Sequence, residues 1–254
     1  MELIDTHCHL DDPRFDIDRD QVLQRAHAAG VSRQVIPSTT AVRWPRVKEV
    51  CGRYPGLYPA FGLHPMFTAE HRDGHLEVLN TWITSEPLVA IGECGLDYFI
   101  RDPDKARQRL LFRRQVELAV EHDLPLIIHA RRSVEEAVQI LKGFPNARGV
   151  FHSYSGSLQQ ALQLANLGFL MSFGGPVTFE RATRLRDIVA KLPLEALMLE
   201  SDAPDQPDSG HRGARNEPAF IPRVLRTLAT LRLESEEELA TRTTANARRL
   251  FRLD

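Results

Sequence analysis

The sequence predicts one α/β domain folded as a (β/α)8 TIM barrel. Three observations predict it. Eight short apolar runs recur along the chain, each bounded by polar, Gly or Pro residues, which is how strands buried on both faces read. Helical patterns fill the intervals, and eight-fold strand–helix alternation over 254 residues is the expectation for such a barrel. No Pro/Gly/Ser-rich linker or low-complexity tract divides residues 1–254, so a single domain is expected throughout. A doubly wound open sheet would give a similar alternation, so the pattern by itself leaves that architecture open.

Taken in order, the apolar runs are Leu3-Ile4, Gln34-Val35-Ile36, Leu57 to Phe61 and Leu88 to Ile91. Then come Leu126-Ile127-Ile128, Gly149-Val150-Phe151, Phe169-Leu170-Met171 and Leu197-Met198-Leu199. Between the first two, Val22, Ala26 and Ala29 follow helical spacing, and Gly30 stands where a glycine would end the helix. After the fourth, Asp102-Pro103 is expected to cap a helix whose apolar stripe is Phe112, Val116, Ala119 and Val120. The stretch from Ala203 to Pro218 is rich in Pro, Gly, Asp and Arg and reads as a long functional or mobile loop. Near the C-terminus Ser235 and Glu238 have capping-box spacing.

Composition narrows the function. A content of 43 % hydrophobic and 26 % charged residues is that of a soluble globular protein. A net charge of −2 argues against a protein that coats long duplex DNA, but not against an enzyme acting on a strand end. Cys8, Cys51 and Cys94 form an odd set without CxxC spacing, so no disulfide framework is expected and a reducing cytoplasm fits best. The opening Met-Glu-Leu-Ile-Asp lacks signal-peptide features, and no apolar run approaches the ~18–20 residues that span a bilayer. No membrane association and no obligate protein partner are expected.

The ends of the apolar runs carry the chemistry. The first leads into His7 and His9, two residues apart and so on one face of an extended chain. Cys8 between them points the other way and is expected to pack. The third run leads to His64, the fourth to Glu93, the fifth to His129, the sixth to His152 and the eighth to Asp202. A lone histidine after an apolar run is ordinarily a hydrogen-bonded structural residue. Four histidines and two carboxylates at one end of parallel strands are different. Buried without partners they would be destabilising by several kcal/mol, and bound divalent cations would partner them all. The ligand set is therefore His7, His9, Glu93, His129, His152 and Asp202, with Mg²⁺, Mn²⁺ and Zn²⁺ all compatible. His27, His71, His75, His122 and His211 receive no role, although the loop holding His211 could reach the site.

In order along the chain, the segments Ile4 to Leu10, Phe61 to Pro65, Ile91 to Tyr98, Pro125 to Arg131, Phe151 to Gly156 and Leu199 to Pro204 resemble those of the TatD family of metal-dependent hydrolases. Arg215 to Pro218 and Thr244 to Asn246 match as well. The resemblance implies an amidohydrolase-like barrel with two divalent cations, a third being allowed. It implies that His7, His9 and Asp202 hold one ion, that Glu93 bridges, and that His129 and His152 hold the other. It also implies deoxyribonuclease activity, 3′-to-5′ and exonucleolytic, on single-stranded DNA ends.

The ligand set makes a metal-activated water the nucleophile of a phosphodiester hydrolysis. Asp202 is the expected proton acceptor, and Glu93 is expected to act in catalysis as the bridge. His64 is free to bond a phosphate oxygen, and Arg131 and Arg215 are expected to add phosphate contacts. Tyr98 and Tyr154 are candidates for stacking on a base. Hydrolysis of a small-molecule ester, amide or phosphomonoester on the same barrel is the alternative, since fold does not decide substrate. A metal-binding scaffold without turnover would have no physical reason to keep six costly polar groups. A histidinol-phosphatase-like enzyme would share the His7/His9 pair, but not the stretches around Glu93 and His152.

Overall fold

The structure is a computed structural model that describes residues 1–253. Its eight strands are β1 (Leu3–Asp5), β2 (Val31–Pro37), β3 (Leu57–Phe61), β4 (Ala90–Asp97), β5 (Leu126–Arg131), β6 (Gly149–Phe151), β7 (Leu170–Phe173) and β8 (Leu197–Leu199). All neighbours pair in parallel, in sequence order from β1 to β8. Thr6 brings the two edges together just past the strand ends, where its N–H and hydroxyl both donate to the Leu199 carbonyl at 3.1 and 2.8 Å. This is the nearly closed barrel, and it settles the choice against an open doubly wound sheet.

The helices between and after the strands are α1 (Arg19–Ala28), α2 (Trp44–Arg53), α3 (His75–Ser85), α4 (Lys105–Glu121), α5 (Val134–Leu141), α6 (Leu158–Asn166), α7 (Thr183–Lys191), α8 (Ile221–Arg232) and α9 (Glu236–Phe251). No described helix is long and apolar enough to cross a membrane. Gly30 follows α1 at φ +86°, where a Cβ would stand 2.6 Å from the Met1 carbonyl oxygen, so glycine is required there. The cap of α4 corrects the sequence reading. Asp104, not Asp102, accepts the Arg107 N–H at 2.9 Å, and Asp102 instead takes a turn conformation at φ +50°. Ser235 caps α9 by accepting the Glu238 N–H at 3.1 Å, while the reciprocal capping box appears at Ser157 and Gln160 of α6.

Two apolar layers follow from the strand period. One side chain from each strand, from Ile4 through Ala60 and Ala90 to Met198, fills the barrel interior, and alternate residues face the helices. The end of α9 closes the floor of this interior with Ala247, Leu250 and Phe251. Asn246 fastens that floor by donating to the carbonyls of Leu194 and Leu197 at 2.7 and 2.9 Å. Ile4 and Met198 lie on β1 and β8, which lead on to His7 and Asp202, so the floor lies at the end opposite the polar residues.

α4 braces that polar end. Within its buried stripe two positions are glutamines: Gln115 bonds both the N–H and the carbonyl of Leu63, and Gln108 does the same for Asp97. A purely apolar stripe would not have fixed these two loop entries. β4 runs further than its apolar core implied, through Glu93 to Asp97, with a register shift between Ile91 and Cys94 and every residue buried.

Replacing Asn246 by Ala strands two buried carbonyls at the floor. It should destabilise the protein by about 1–3 kcal/mol, read as a lowered midpoint in chemical denaturation with an unchanged slope. An unshifted midpoint would mean that the floor is held without Asn246.

Candidate metal centre

Parallel strands that end at one rim deliver their last side chains to a common point. Glu93 occupies that point, buried within β4. Its Oε1 lies 2.7 Å from His64 Nε2, 2.8 Å from His152 Nε2 and 3.1 Å from His129 Nδ1. Its Oε2 lies 3.2 Å from His7 Nε2 and 3.8 Å from His9 Nε2. Asp202 Oδ1 stands 3.7 Å from the Nε2 atoms of both His7 and His9. The structure thus gathers His7, His9, Glu93, His129, His152 and Asp202, and places His64 against the same carboxylate.

Second contacts orient these groups. Asp97 Oδ2 sits 2.8 Å from His129 Nε2 and so assigns the proton to that nitrogen, aiming the Nδ1 lone pair at the cluster. Gly95 permits this approach: at φ +131°, a Cβ on it would meet the His129 carbonyl oxygen at 2.1 Å. His64 is set the other way. Its Nδ1 accepts the Met66 N–H at 3.0 Å, so in the neutral ring the proton is on Nε2, facing Glu93. That makes His64 a hydrogen-bond donor at the site, although its distances alone would allow ligation with Glu93 and His129. Asp5 accepts from the Ser201 N–H and hydroxyl at 2.9 and 2.6 Å, tying the end of β8 to the start of the His7 segment. Glu200 accepts from the Ser153 N–H at 2.6 Å and from the Ser172 hydroxyl, anchoring the turn after His152. Gln206 donates to the outer oxygen of Asp202.

Burial opposes ionisation of Glu93, but the facing His152, His64 and His7 outweigh it and hold the carboxyl well below its usual range. Burial likewise opposes the charged form of His152, yet Glu93 pulls its pKa up to about 10. His129 is raised as well: burial works against it, but Asp97 and Glu93 prevail. Burial drives His7 well below the ordinary value and His64 down to about 4. Burial also raises Asp202, and lifts Glu200 to about 8 and Asp5 to about 7.

Divalent cations fit this donor set. His7 with His9 and Asp202, and His7 with Glu93 and His152, each bring one ligand atom apiece to within 4.8 Å of one another. Several of these atoms would set lone pair against lone pair unless a proton or a cation stood between them. His7 and His9 meet nitrogen to nitrogen at 3.2 Å, and His129 Nδ1 lies 3.1 Å from both Glu93 and His152. Protons can relieve only part of that repulsion, whereas a shared dication relieves it at every donor. The outer Nδ1 atoms of His7 and His152 have no partner among the described residues, and the two rings are held by stacking, with centroids 3.9 Å apart.

The cluster lies at the base of a cavity of about 900 Å³, walled by residues that include Arg14, Arg43, Phe67 and Arg131. Other expectations fare differently. Arg215 is committed to Asp18 by two bonds of 2.8 and 2.6 Å and does not line the cavity, so its phosphate role is withdrawn. Tyr154 is buried against Phe173 with its hydroxyl on the Ser157 carbonyl, so it packs and does not stack on a ligand. The Tyr98 hydroxyl donates to Glu136, and the Lys105 ammonium lies over its ring at 4.6 Å. His211 stacks on Phe220 and pairs with Asp208, away from the cavity. Cys8 packs in the core, and Cys8, Cys51 and Cys94 are free thiols. The Ala203–Pro218 loop is tied down by Asn216, which donates to the carbonyls of Ser201 and Asp205 at 2.7 and 2.8 Å. Asp5, Asp97, Glu200 and Gln206 are the positioning residues that sequence reasoning missed. Three of them stood beside predicted ligands at strand ends, but nothing in the sequence said which partner each would meet.

The comparisons with known proteins agree with this geometry. Residues 4–252 match the family model described as TatD related DNase. The chain is 43 % identical over 251 residues to the uncharacterized metal-dependent hydrolase YjjV of Escherichia coli K12, covering 98 % of this chain and 97 % of that one. It is 37 % identical over 254 residues to the uncharacterized metal-dependent hydrolase YabD of Bacillus subtilis, covering 99 % and 100 %. The crystal structure of the E. coli YjjV, a TatD homolog, superposes with a TM-score of 0.96 at 42 % identity over 99 % of this chain and 98 % of that one. The phosphotriesterase homology protein of E. coli shares the barrel alone, with a TM-score of 0.66 at 13 % identity over 96 % and 98 % of the two chains. A barrel with this cluster at its rim, matched over nearly its full length, belongs to the TatD family of metal-dependent hydrolases.

Proposed function

We propose that this hydrolase cleaves phosphodiester bonds as a 3′-to-5′ exodeoxyribonuclease acting on single-stranded ends. The observation that carries the reading is the convergence of His7, His9, Glu93, His129, His152 and Asp202 at the base of one open cavity. In this reading His7, His9 and Asp202 would hold one divalent ion, His129 and His152 would hold a second, and Glu93 would contribute to both. Mg²⁺, Mn²⁺ and Zn²⁺ all suit such mixed ligation. Bound there, the ions supply Lewis-acid stabilisation of phosphoryl oxygens and a nucleophilic water near neutral pH.

The remaining steps belong to side chains. Asp202 Oδ1 would orient the attacking water and accept its proton. Gln206 holds the other oxygen and so keeps Oδ1 directed at the site. His64 stays neutral near pH 7, and its Nε2–H, 2.7 Å from Glu93, would turn to a phosphoryl oxygen once that carboxylate is taken up by bound ions. Arg131, at the rim, adds a guanidinium contact to phosphate. Loops following β1, β2, β3 and β8 wall the cavity, which favours a strand terminus over a continuous duplex. The family model's description supports DNA as the polymer. Cytoplasmic residence completes the proposal, on the basis of three unpaired cysteines.

Product mapping on oligonucleotides labelled at either end tests this reading against hydrolysis of small esters, amides or phosphomonoesters. Mononucleotides released from the 3′ end support it, and turnover confined to small substrates overturns it. Glu93→Gln should reduce turnover to background and lower bound metal by elemental analysis, with the circular dichroism spectrum retained. A fully active variant would remove the bridging role. His64→Ala should raise KM or lower kcat by about 10–100-fold while metal content holds, as loss of a hydrogen bond to a charged oxygen predicts. A parallel fall in metal would place His64 among the ligands instead.

A further inference from the structure

Two of the arginines lining the cavity are committed to carboxylates: Arg14 to Asp12 and Asp205, and Arg43 to Asp11. Four cations nearby are not. Lys105, Arg131, Arg132 and Arg184 form no ion pair among the described residues, and all four line one groove of about 910 Å³. The acids of that groove have partners other than these four cations. Glu136 accepts from the Tyr98 hydroxyl at 2.7 Å and pairs with Arg109 at 3.0 Å, and Glu135 accepts from Gln139 at 2.9 Å.

The groove adjoins the metal centre, with Arg131 and Ser155 lining both spaces. β5 supplies the link. His129 and Arg131 are two residues apart on one extended strand, so they share a side and stand roughly 6–7 Å apart along it. Phe99 opens into the same groove with 47 % of its surface exposed, which core packing does not explain. The guanidiniums of Arg131 and Arg132 lie 3.7 and 4.5 Å from its ring centroid, grouping one phenyl and two guanidiniums at one spot.

Flat π surfaces interleaved with unpaired cations match a polymer that alternates flat bases with anionic phosphates. We infer that this groove is the subsite for the nucleotides adjoining the scissile phosphate of a single strand. A base stacks on the Phe99–Arg131–Arg132 platform, and Arg132, Arg184 and Lys105 meet the flanking phosphates. The inference rests on the nuclease reading above and extends it to residues outside the metal cluster.

The test compares kcat/KM on tetrathymidylate with kcat/KM on bis(p-nitrophenyl) phosphate, which has no flanking nucleotide. Two variants suffice: Phe99→Ala, at an exposed position, and Arg132→Asn, because asparagine tolerates the φ of +56° found there. Each should lower the tetrathymidylate-to-diester ratio by about 5–100-fold. Arg132→Asn should also flatten the log–log salt dependence of tetrathymidylate KM by about 0.7 for each phosphate left without its cation, and Phe99→Ala should leave that slope alone. Unchanged ratios in both variants overturn the subsite and leave the nuclease reading standing. Equal losses on both substrates overturn it too, by making the groove a mere support of the metal centre. A wild-type protein that hydrolyses the small diester but not tetrathymidylate overturns the nuclease reading, and this inference with it.

Discussion

One buried carboxylate organises the functional end of this barrel. An isolated Glu93 at that depth would take up a proton, because desolvating its charge costs several kcal/mol. Five imidazoles stand within 3.8 Å of its oxygens and prevent that. The dependence runs both ways. Two protonated imidazoles about 5 Å apart repel by about 3 kcal/mol at an effective dielectric of 20, so the rings cannot all meet the carboxylate as cations. Burial accordingly leaves His7 and His64 neutral, while Glu93 draws protons to His152 and, with Asp97, to His129. Positive charge beside Glu93, whether from protons on two of the rings or from bound cations, is what keeps the carboxylate ionised. Two dications against Glu93 and Asp202 would leave an excess of positive charge, which suits an anionic ester better than a neutral one.

The scaffold makes such a cluster tolerable by separating what is apolar from what is polar. α9 seals one end of the barrel with aliphatic and aromatic side chains, so the interior layer stays dry. At the other end several charged residues are met by groups from elsewhere around the ring. Asp5 reaches Ser201 across the seam between the first and last strands, and Glu200 reaches the turn after β6. Asp97 and the two glutamines of α4 carry the same bracing across β4 and β5. The precision of the site is therefore distributed around the ring, as preorganised catalysis requires.

The strands and the convergence of polar residues at one rim were legible in the sequence for one physical reason. A parallel strand buried on both faces leaves an uninterrupted apolar run, and polar residues can follow only where the strand reaches the rim. His7, Glu93, His129 and Asp202 all announced themselves in this way. What was hidden depends on pairings that no local pattern encodes. The extension of β4 through Glu93 to Asp97 runs against its polarity, because the polar side chains there are satisfied by other strands. Arg215 read as a phosphate ligand because its charge was visible and its partner Asp18, distant in sequence, was not. Tyr154 read as a stacking platform because nothing in the chain marks its ring as covered by Phe173. Phe99 drew no attention beside Tyr98, since exposure of a phenylalanine is a tertiary fact.

The distribution of charge links these observations to substrate size. The chain is nearly neutral, and most of its arginines are neutralised on the spot by Asp or Glu. Such a surface has little long-range pull on a polyanion, since a Debye length of about 8 Å screens scattered ion pairs at physiological salt. Attraction must then be local, from the metal cluster and from the few cations left unpaired beside it. On the nuclease reading proposed above, such a surface would take a few nucleotides and would not track a long duplex. A stiff double helix would also have to part its strands before its end could reach Glu93 at the base of the cavity, whereas a flexible single strand can bend into the groove beside it.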